Sequence, residues 1–235
     1  MSATIVLLHA MGASHRMWRA QAEALGDRYE VLAPDLPGHG ATGGRFTLVA
    51  AVDQLRELLR DRPSPAHLVG ASLGANVALR VALDEPGLVA SLVLSGAAVR
   101  MSRAGVTVQR AVTAVLPLSV TSEMSATIVR PADDRDRAAF VDDIRRAGKR
   151  TQADALRELR HDHLEPRLGD VGVPALVCCG AADTSNLASA RLLAACLPDA
   201  TLRIVPGGGH LWNLQHPDLC TRTVDEFVSA VTSAQ

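Results

Sequence analysis

Six short, continuously apolar runs recur along the chain, separated by stretches with helical spacing. The runs are Thr4–Leu8, Tyr29–Ala33, Ala66–Val69, Ser91–Leu94, Pro174–Cys178 and Thr201–Val205. Each is rich in Val, Leu or Ile and does not alternate with polar residues, which is the pattern of strands buried on both faces of a parallel sheet. Between them, apolar positions three and four apart predict helices over Arg16–Leu25, Leu48–Arg60, Leu73–Leu83, Leu187–Leu197 and Leu219–Val231. The helix from Leu73 is apolar almost all round and is expected to pack into the sheet. The alternation predicts an α/β fold: a six-stranded, mainly parallel sheet with helices on both faces.

One stretch breaks the alternation. From about Val99 to Glu165 there is no strand signal, and a structureless loop of that length is foreign to a compact domain. Ala104–Leu116 and Asp134–Ala147 instead read as helices. The second has Asp133 and Asp134 at its start and Arg145 and Arg146 at its end, as the helix dipole favours. The expected organisation is a core of residues 1–98 and 166–235 with a helical cap of residues 99–165. The charges of the cap's second half are expected on its outer surface, and its apolar first half over the pocket.

Composition narrows the function classes. The chain has 235 residues, a net charge of −1, 48% apolar and only 3% aromatic residues. Length fits one large domain. The near-zero charge gives no reason to expect a nucleic-acid partner, and no apolar run reaches the length of a membrane span. The start of the chain lacks the basic flank and long apolar stretch of a signal peptide, so a cytoplasmic location is expected. The four cysteines have no metal-site spacing and read as small buried apolar residues. The two histidines among His161, Asp162, His163 and Glu165 fall on different sides of a helix, so no metal site is expected there.

The chemistry centres on Gly70-Ala71-Ser72-Leu73-Gly74, a G-x-S-x-G sequence. By chance, three fixed positions of this kind occur about 0.08 times in such a chain, so context has to decide. A strand runs into it and an apolar helix runs out, which is the setting of a nucleophile elbow. The tight turn needs glycines on both sides, and Ser72 then stands at a helix N-terminus where a developing oxyanion is favoured. A serine needs a base. His210 follows the last strand and the run Gly207-Gly208-Gly209, and Asp183 lies just past the strand Pro174–Cys178, so each can reach the carboxyl ends of the strands. The chain order Ser72, Asp183, His210 is that of the fold. The oxyanion donors are expected to be the Leu73 N–H and one N–H from His9-Ala10-Met11-Gly12. Met11, Met101, Met124 and Trp212 are candidates to line the substrate pocket.

These motifs resemble the α/β-hydrolase superfamily over essentially the whole chain. Its H-G-x-x-x-S loop is matched by His9-Ala10-Met11-Gly12-Ala13-Ser14, with Ala10 replacing the usual Gly. Its P-D-x-x-G-H-G segment is matched by Pro34-Asp35-Leu36-Pro37-Gly38-His39-Gly40. Its G-H-x-x-x-x-E-x-P segment is matched from Gly209-His210 to Pro217, with Gln215 replacing Glu. The resemblance implies that Met11 supplies the second oxyanion N–H and that His9 and His39 shape loops rather than act in chemistry. It implies a serine hydrolase that cleaves an ester, lactone or thioester of a small hydrophobic substrate, with no cofactor and no metal, acting as a monomer or homodimer. Two other functions remain open on the same fold: a lyase or carbon–carbon bond hydrolase using the same triad, and a non-catalytic ligand receptor.

Overall fold

The computed structural model describes residues 2–99, 107 and 111–234. Its sheet has six strands in the order β2-β1-β3-β4-β5-β6, every neighbouring pair parallel. The strands are β1 (Thr4–Leu8), β2 (Glu30–Leu32), β3 (Ala66–Ala71), β4 (Val89–Ser95), β5 (Ala175–Gly180) and β6 (Ala200–Val205). All six predicted runs are strands. The largest difference is in β2, which shrinks to three half-buried residues at the sheet edge.

Successive residues of the strands feed two separate cores, because side chains alternate across a sheet. On one face Val6, Leu8, Leu68, Leu92 and Val177 pack with α2 (Leu48–Arg60), α3 (Leu73–Asp84) and α6 (Leu187–Cys196). On the other, Ile5, Leu7, Val69, Val93 and Leu176 pack with α1 (Arg19–Leu25) and α7 (Pro217–Ala234). Adjacent Cys178 and Cys179 fall on opposite faces, and burial pushes their thiols up to about 12 and about 11. Both are inert packing residues. The sheet is built outward in both directions from β1 and β3, so the order reverses between them, and in open α/β sheets ligands bind outside the carboxyl ends at such a point.

The described part of the stretch between β4 and β5 contains helices, and their bounds differ from the predicted ones. Ala104–Leu116 lies partly outside the described residues, with 107 and 111–115 helical. The chain continues into α4 (Leu118–Val129), and α5 runs over Asp134–His161, twice the predicted length. Gly148, with φ of 72° and ψ of 171°, kinks α5 into two halves. A single non-helical glycine leaves the i+3/i+4 pattern intact on either side, so the sequence shows two separate periodicities rather than one long one.

The charges of α5 are a correction to the sequence reading. They do not simply cover an outer surface: Asp136, Asp143 and Asp154 are buried. Arg19 donates to Asp136, Arg16 to Asp143 and Arg45 to Asp154, each arginine belonging to the loops and helices around β1 and β2. Ser14 also donates to Asp143 at 2.6 Å. The Arg45 guanidinium beside Asp154 is the main cause holding that carboxyl down to about 2. Asp162, just past the helix, is buried against Arg80. Acid–arginine pairs therefore fasten α5 across the carboxyl ends of β1 and β2. Removing one partner of a buried pair strands a charge, which is far more costly than an exposed pair is worth. Among the described residues no helix is long and apolar enough to cross a membrane, and no cluster of His, Cys, Asp or Glu could hold a metal ion.

Candidate active site

Ser72 sits between β3 and α3 with φ of 51° and ψ of −112°, one of two non-glycine residues at positive φ among those described. Such a conformation costs about 1–3 kcal/mol and has to be enforced by its surroundings. Two constraints enforce it here. The Ser72 N–H donates to the Ser95 carbonyl at 2.7 Å, tying the turn to the end of β4. The flanking glycines allow close approach: a Cβ at Gly70 would lie 2.5 Å from the Ala75 backbone, and one at Gly74 2.2 Å from the Leu8 carbonyl oxygen. Ser72 is the N-cap of α3, and Ala75 and Asn76 donate to its carbonyl. Leu73 is the first helical residue, so its N–H has no partner within the helix.

His210 is held over the same end of the sheet. A Cβ at Gly180, the end of β5, would lie 2.3 Å from the Gly208 and Gly209 carbonyl oxygens, so only glycine lets the loop cross there. The Gly209 N–H donates to Gln215 Oε1 at 2.6 Å. Glutamine supplies the same side-chain oxygen that glutamate would, which accounts for the Gln215 replacement. Gly96, next to Ser95, has φ of 62°, and a Cβ there would lie 2.9 Å from His210 Cε1. The imidazole edge thus rests on the residue adjoining the one that binds the Ser72 N–H.

The His210 Nδ1–H donates to Asp183 Oδ2 at 2.7 Å, and Asp183 is buried. Ser185 Oγ donates to the same carboxylate at 3.0 Å, and Asn186 Nδ2 to both its oxygens at 2.8 and 2.9 Å. Burial alone would raise the Asp183 carboxyl, but the bonds from His210, Asn186 and Ser185 outweigh it and hold the pKa below its ordinary value. A charged Asp183 fixes the proton on Nδ1, so the 3.3 Å approach of Asn186 Nδ2 to that nitrogen is a contact between two donors. Ser185 and Asn186 were missed in the sequence. The only signal was their place within three residues of Asp183.

The loop after β1 forms a turn in which Ala13 donates to the Ala10 carbonyl at 3.1 Å and Gly12 has φ of 78°. This bond makes no use of the Met11 N–H. Ala10 is not at positive φ, so a methyl group in place of the usual glycine brings no strain. His9 is fully buried. Its Nδ1–H donates to the Ala10 carbonyl at 2.8 Å, and its Nε2 accepts from the Leu36 N–H at 2.9 Å. Burial, followed by neighbouring His39, lowers its pKa to about 3. His39 donates from Nδ1 to the Pro37 carbonyl at 3.0 Å, and its ring lies 4.9 Å from that of His9. Both histidines hold loops in this structure, as the resemblance implied.

Three of the four candidate pocket residues are described. Met11 is half-buried within the turn. Trp212 is buried and its Nε1–H donates to Ser95 Oγ at 2.8 Å, so the indole anchors the end of β4. Met124 on α4 is 45% exposed. Met101 lies outside the described residues. Ile144 and Gln152, on either side of the Gly148 kink, approach instead: an ideal Cβ at Gly12 would lie 3.6 and 3.9 Å from them.

The architecture recurs in known proteins. The profile of the alpha/beta hydrolase family matches residues 5–223. A pimeloyl-[acyl-carrier protein] methyl ester esterase of Aromatoleum aromaticum is 32% identical, over 95% of this chain and 97% of its own. A putative carbamate hydrolase RutD of Agrobacterium fabrum is 27% identical over 96% and 92%. The enol-lactonase of Burkholderia xenovorans LB400 superposes with a TM-score of 0.83 at 23% identity, over 97% of this chain and 92% of its own, which speaks for the fold. Family profile, full-length relatives and parallel sheet agree: the chain is an enzyme belonging to the α/β-hydrolase family.

Proposed function

We propose that this enzyme is a serine hydrolase that cleaves a carboxylic ester, lactone or thioester of a small-molecule substrate through an acyl-enzyme. Ser72 Oγ attacks the acyl carbonyl while His210 Nε2 takes its proton. Asp183, holding Nδ1–H, keeps Nε2 free as base and stabilises the imidazolium. The Met11 and Leu73 N–H groups receive the oxyanion of the tetrahedral intermediate. His210 returns the proton to the leaving oxygen or sulfur, and the C–O or C–S bond breaks. Water then repeats the sequence on the Ser72 ester, releasing the acid. Every proton is accounted for by these residues and water.

The observation that carries this reading is the 2.7 Å bond between His210 and a buried Asp183, together with an elbow serine held at φ of 51° after β3. The esterase and hydrolase names of the full-length relatives agree with it. Residues 99–165 act in this proposal as a cap that sets substrate choice, since α5 abuts the turn that contains Met11. The test is labelling with a fluorophosphonate probe. Wild-type protein should label, and Ser72→Ala should not label and should lose about 10⁴-fold or more in ester hydrolysis. Labelling that persists in Ser72→Ala, or activity that survives it, removes Ser72 as nucleophile and favours a lyase or a receptor.

A further inference from the structure

We propose that the substrate carries a negative charge at the end remote from the scissile bond, and that Lys149 and Arg150 bind it in a cavity beside the oxyanion turn. The inference rests on the acyl-enzyme reading above. A cavity of about 580 Å³ is lined on one side by Thr107, Ala111, Thr113 and Ala114 and on the other by the second half of α5. Its walls include Ala111, Ala114, Ala153 and Leu156, with Lys149 and Arg150 at one end. The volume is within the range of small-molecule sites. The lining combines aliphatic residues and two threonines with two adjacent cations, which suits an aliphatic chain ending in an anion.

The charge on that wall is not neutralised. Among the described residues no carboxylate is within ion-pair distance of Lys149 or Arg150, whereas Arg16, Arg19, Arg45, Arg80 and Arg157 of the same region each have one. Lys149 Nζ spends one of its three donors on the Ala114 carbonyl at 2.9 Å, which leaves two. The described residues of the opposite wall, Thr107, Ala111, Thr113 and Ala114, include no acid. Both cations also stand directly after the Gly148 kink, at the positive end of the following helix, where the backbone dipole disfavours them. An anion there is stabilised by both side chains and by the dipole together.

The cavity and the oxyanion turn share one helix end. Lys149, Arg150, Ala153 and Leu156 lie on one face of α5, and Gln152, three residues after Lys149, is its neighbour on the helix surface. Gln152 reaches to within 3.9 Å of an ideal Cβ on Gly12. In this proposal a substrate with its carbonyl at Met11 runs past Gln152 toward Lys149. No other residue of the proposed mechanism supplies a positive charge to select such a molecule.

The experiment compares p-nitrophenyl monoesters of adipic and suberic acids with the p-nitrophenyl esters of hexanoic and octanoic acids. The wild-type enzyme should prefer the carboxylate-ended ester of each pair by about tenfold or more in kcat/KM, and added salt should reduce that ratio because Arg150 is exposed. Lys149→Met/Arg150→Met should bring the ratio down about tenfold. Arg150→Met alone, which breaks no described hydrogen bond, should lower it in the same direction if the double variant does not fold. A wild-type ratio near one, or one the substitutions leave unchanged, overturns the inference. Fluorophosphonate labelling run in parallel separates the two readings: a protein that labels but shows no preference keeps its acyl-enzyme and loses the anion site. If nothing labels, calorimetric titration with adipate decides. Binding weakened about tenfold by the double substitution sustains the anion site, and no binding overturns it.

Discussion

Acid should destabilise this protein through His9 before its carboxylates protonate. The imidazole is fully buried, donates from Nδ1 to Ala10 and accepts at Nε2 from Leu36. Protonation destroys that acceptor and turns a proton toward the Leu36 N–H, so the folded state holds the group neutral down to about pH 3. The unfolded chain protonates near pH 6.5. Between these values the unfolded state binds one more proton, so stability rises with pH across the window. It is fully present above pH 6.5 and is lost as pH falls toward 3. Each unit costs about 1.4 kcal/mol, so His9 alone removes about 3 kcal/mol between pH 7 and pH 4. His39 and His67, also lowered by burial, add loss of the same sign. Asp35 and Asp183, whose pKa values are depressed, lose their contributions only as pH falls below the ordinary carboxylate range. Urea unfolding at pH 7, 6, 5 and 4, followed by the fluorescence of buried Trp18 and Trp212, measures the slope. His9→Gln should reduce it by about 1.4 kcal/mol per pH unit between pH 6 and pH 4. An unchanged slope in that variant, or an NMR titration of the His9 ring with a midpoint near 6.5, refutes the argument.

Three further outcomes follow from the same geometry. Asp183→Asn should leave the circular dichroism spectrum intact and lower kcat by about 10⁴-fold, because the histidine tautomer is no longer enforced. A loss below tenfold would assign the role to another carboxylate. Gly74→Ala should lower stability by about 3 kcal/mol in thermal unfolding, since its Cβ would fall 2.2 Å from a backbone oxygen of β1 that cannot move aside. Ala114→Phe fills the cavity beside Lys149 and should shift the preference among p-nitrophenyl esters toward shorter acyl chains, while an unchanged profile in a folded variant would remove the cap from substrate selection.

Much of the molecule was legible in its order of residues, because the relevant physics is local. Runs such as Leu7-Leu8 and Val69 are apolar without alternation, since β1 and β3 are buried on both faces, and that pattern needs no knowledge of which strands pair. The elbow was legible for the same reason: the glycines at 70 and 74 are imposed by atoms a few residues away or on the adjoining strand, within one strand–turn–helix unit. The pairing of Asp183 with His210 was open to inference because both follow strands of a parallel sheet, whose carboxyl ends all emerge on one side.

Long-range geometry decided the rest. Asp136, Asp143 and Asp154 look in sequence like any solvated acidic face of a helix, yet they are buried, because Arg19, Arg16 and Arg45 from over a hundred positions earlier meet them there. The indole of Trp212 became an anchor on Ser95 only through a contact between segments far apart in the chain. A periodicity records which face of a helix is turned away from water. It carries no record of what lies opposite, and a buried charge is tolerated or not according to the partner that the tertiary fold places beside it.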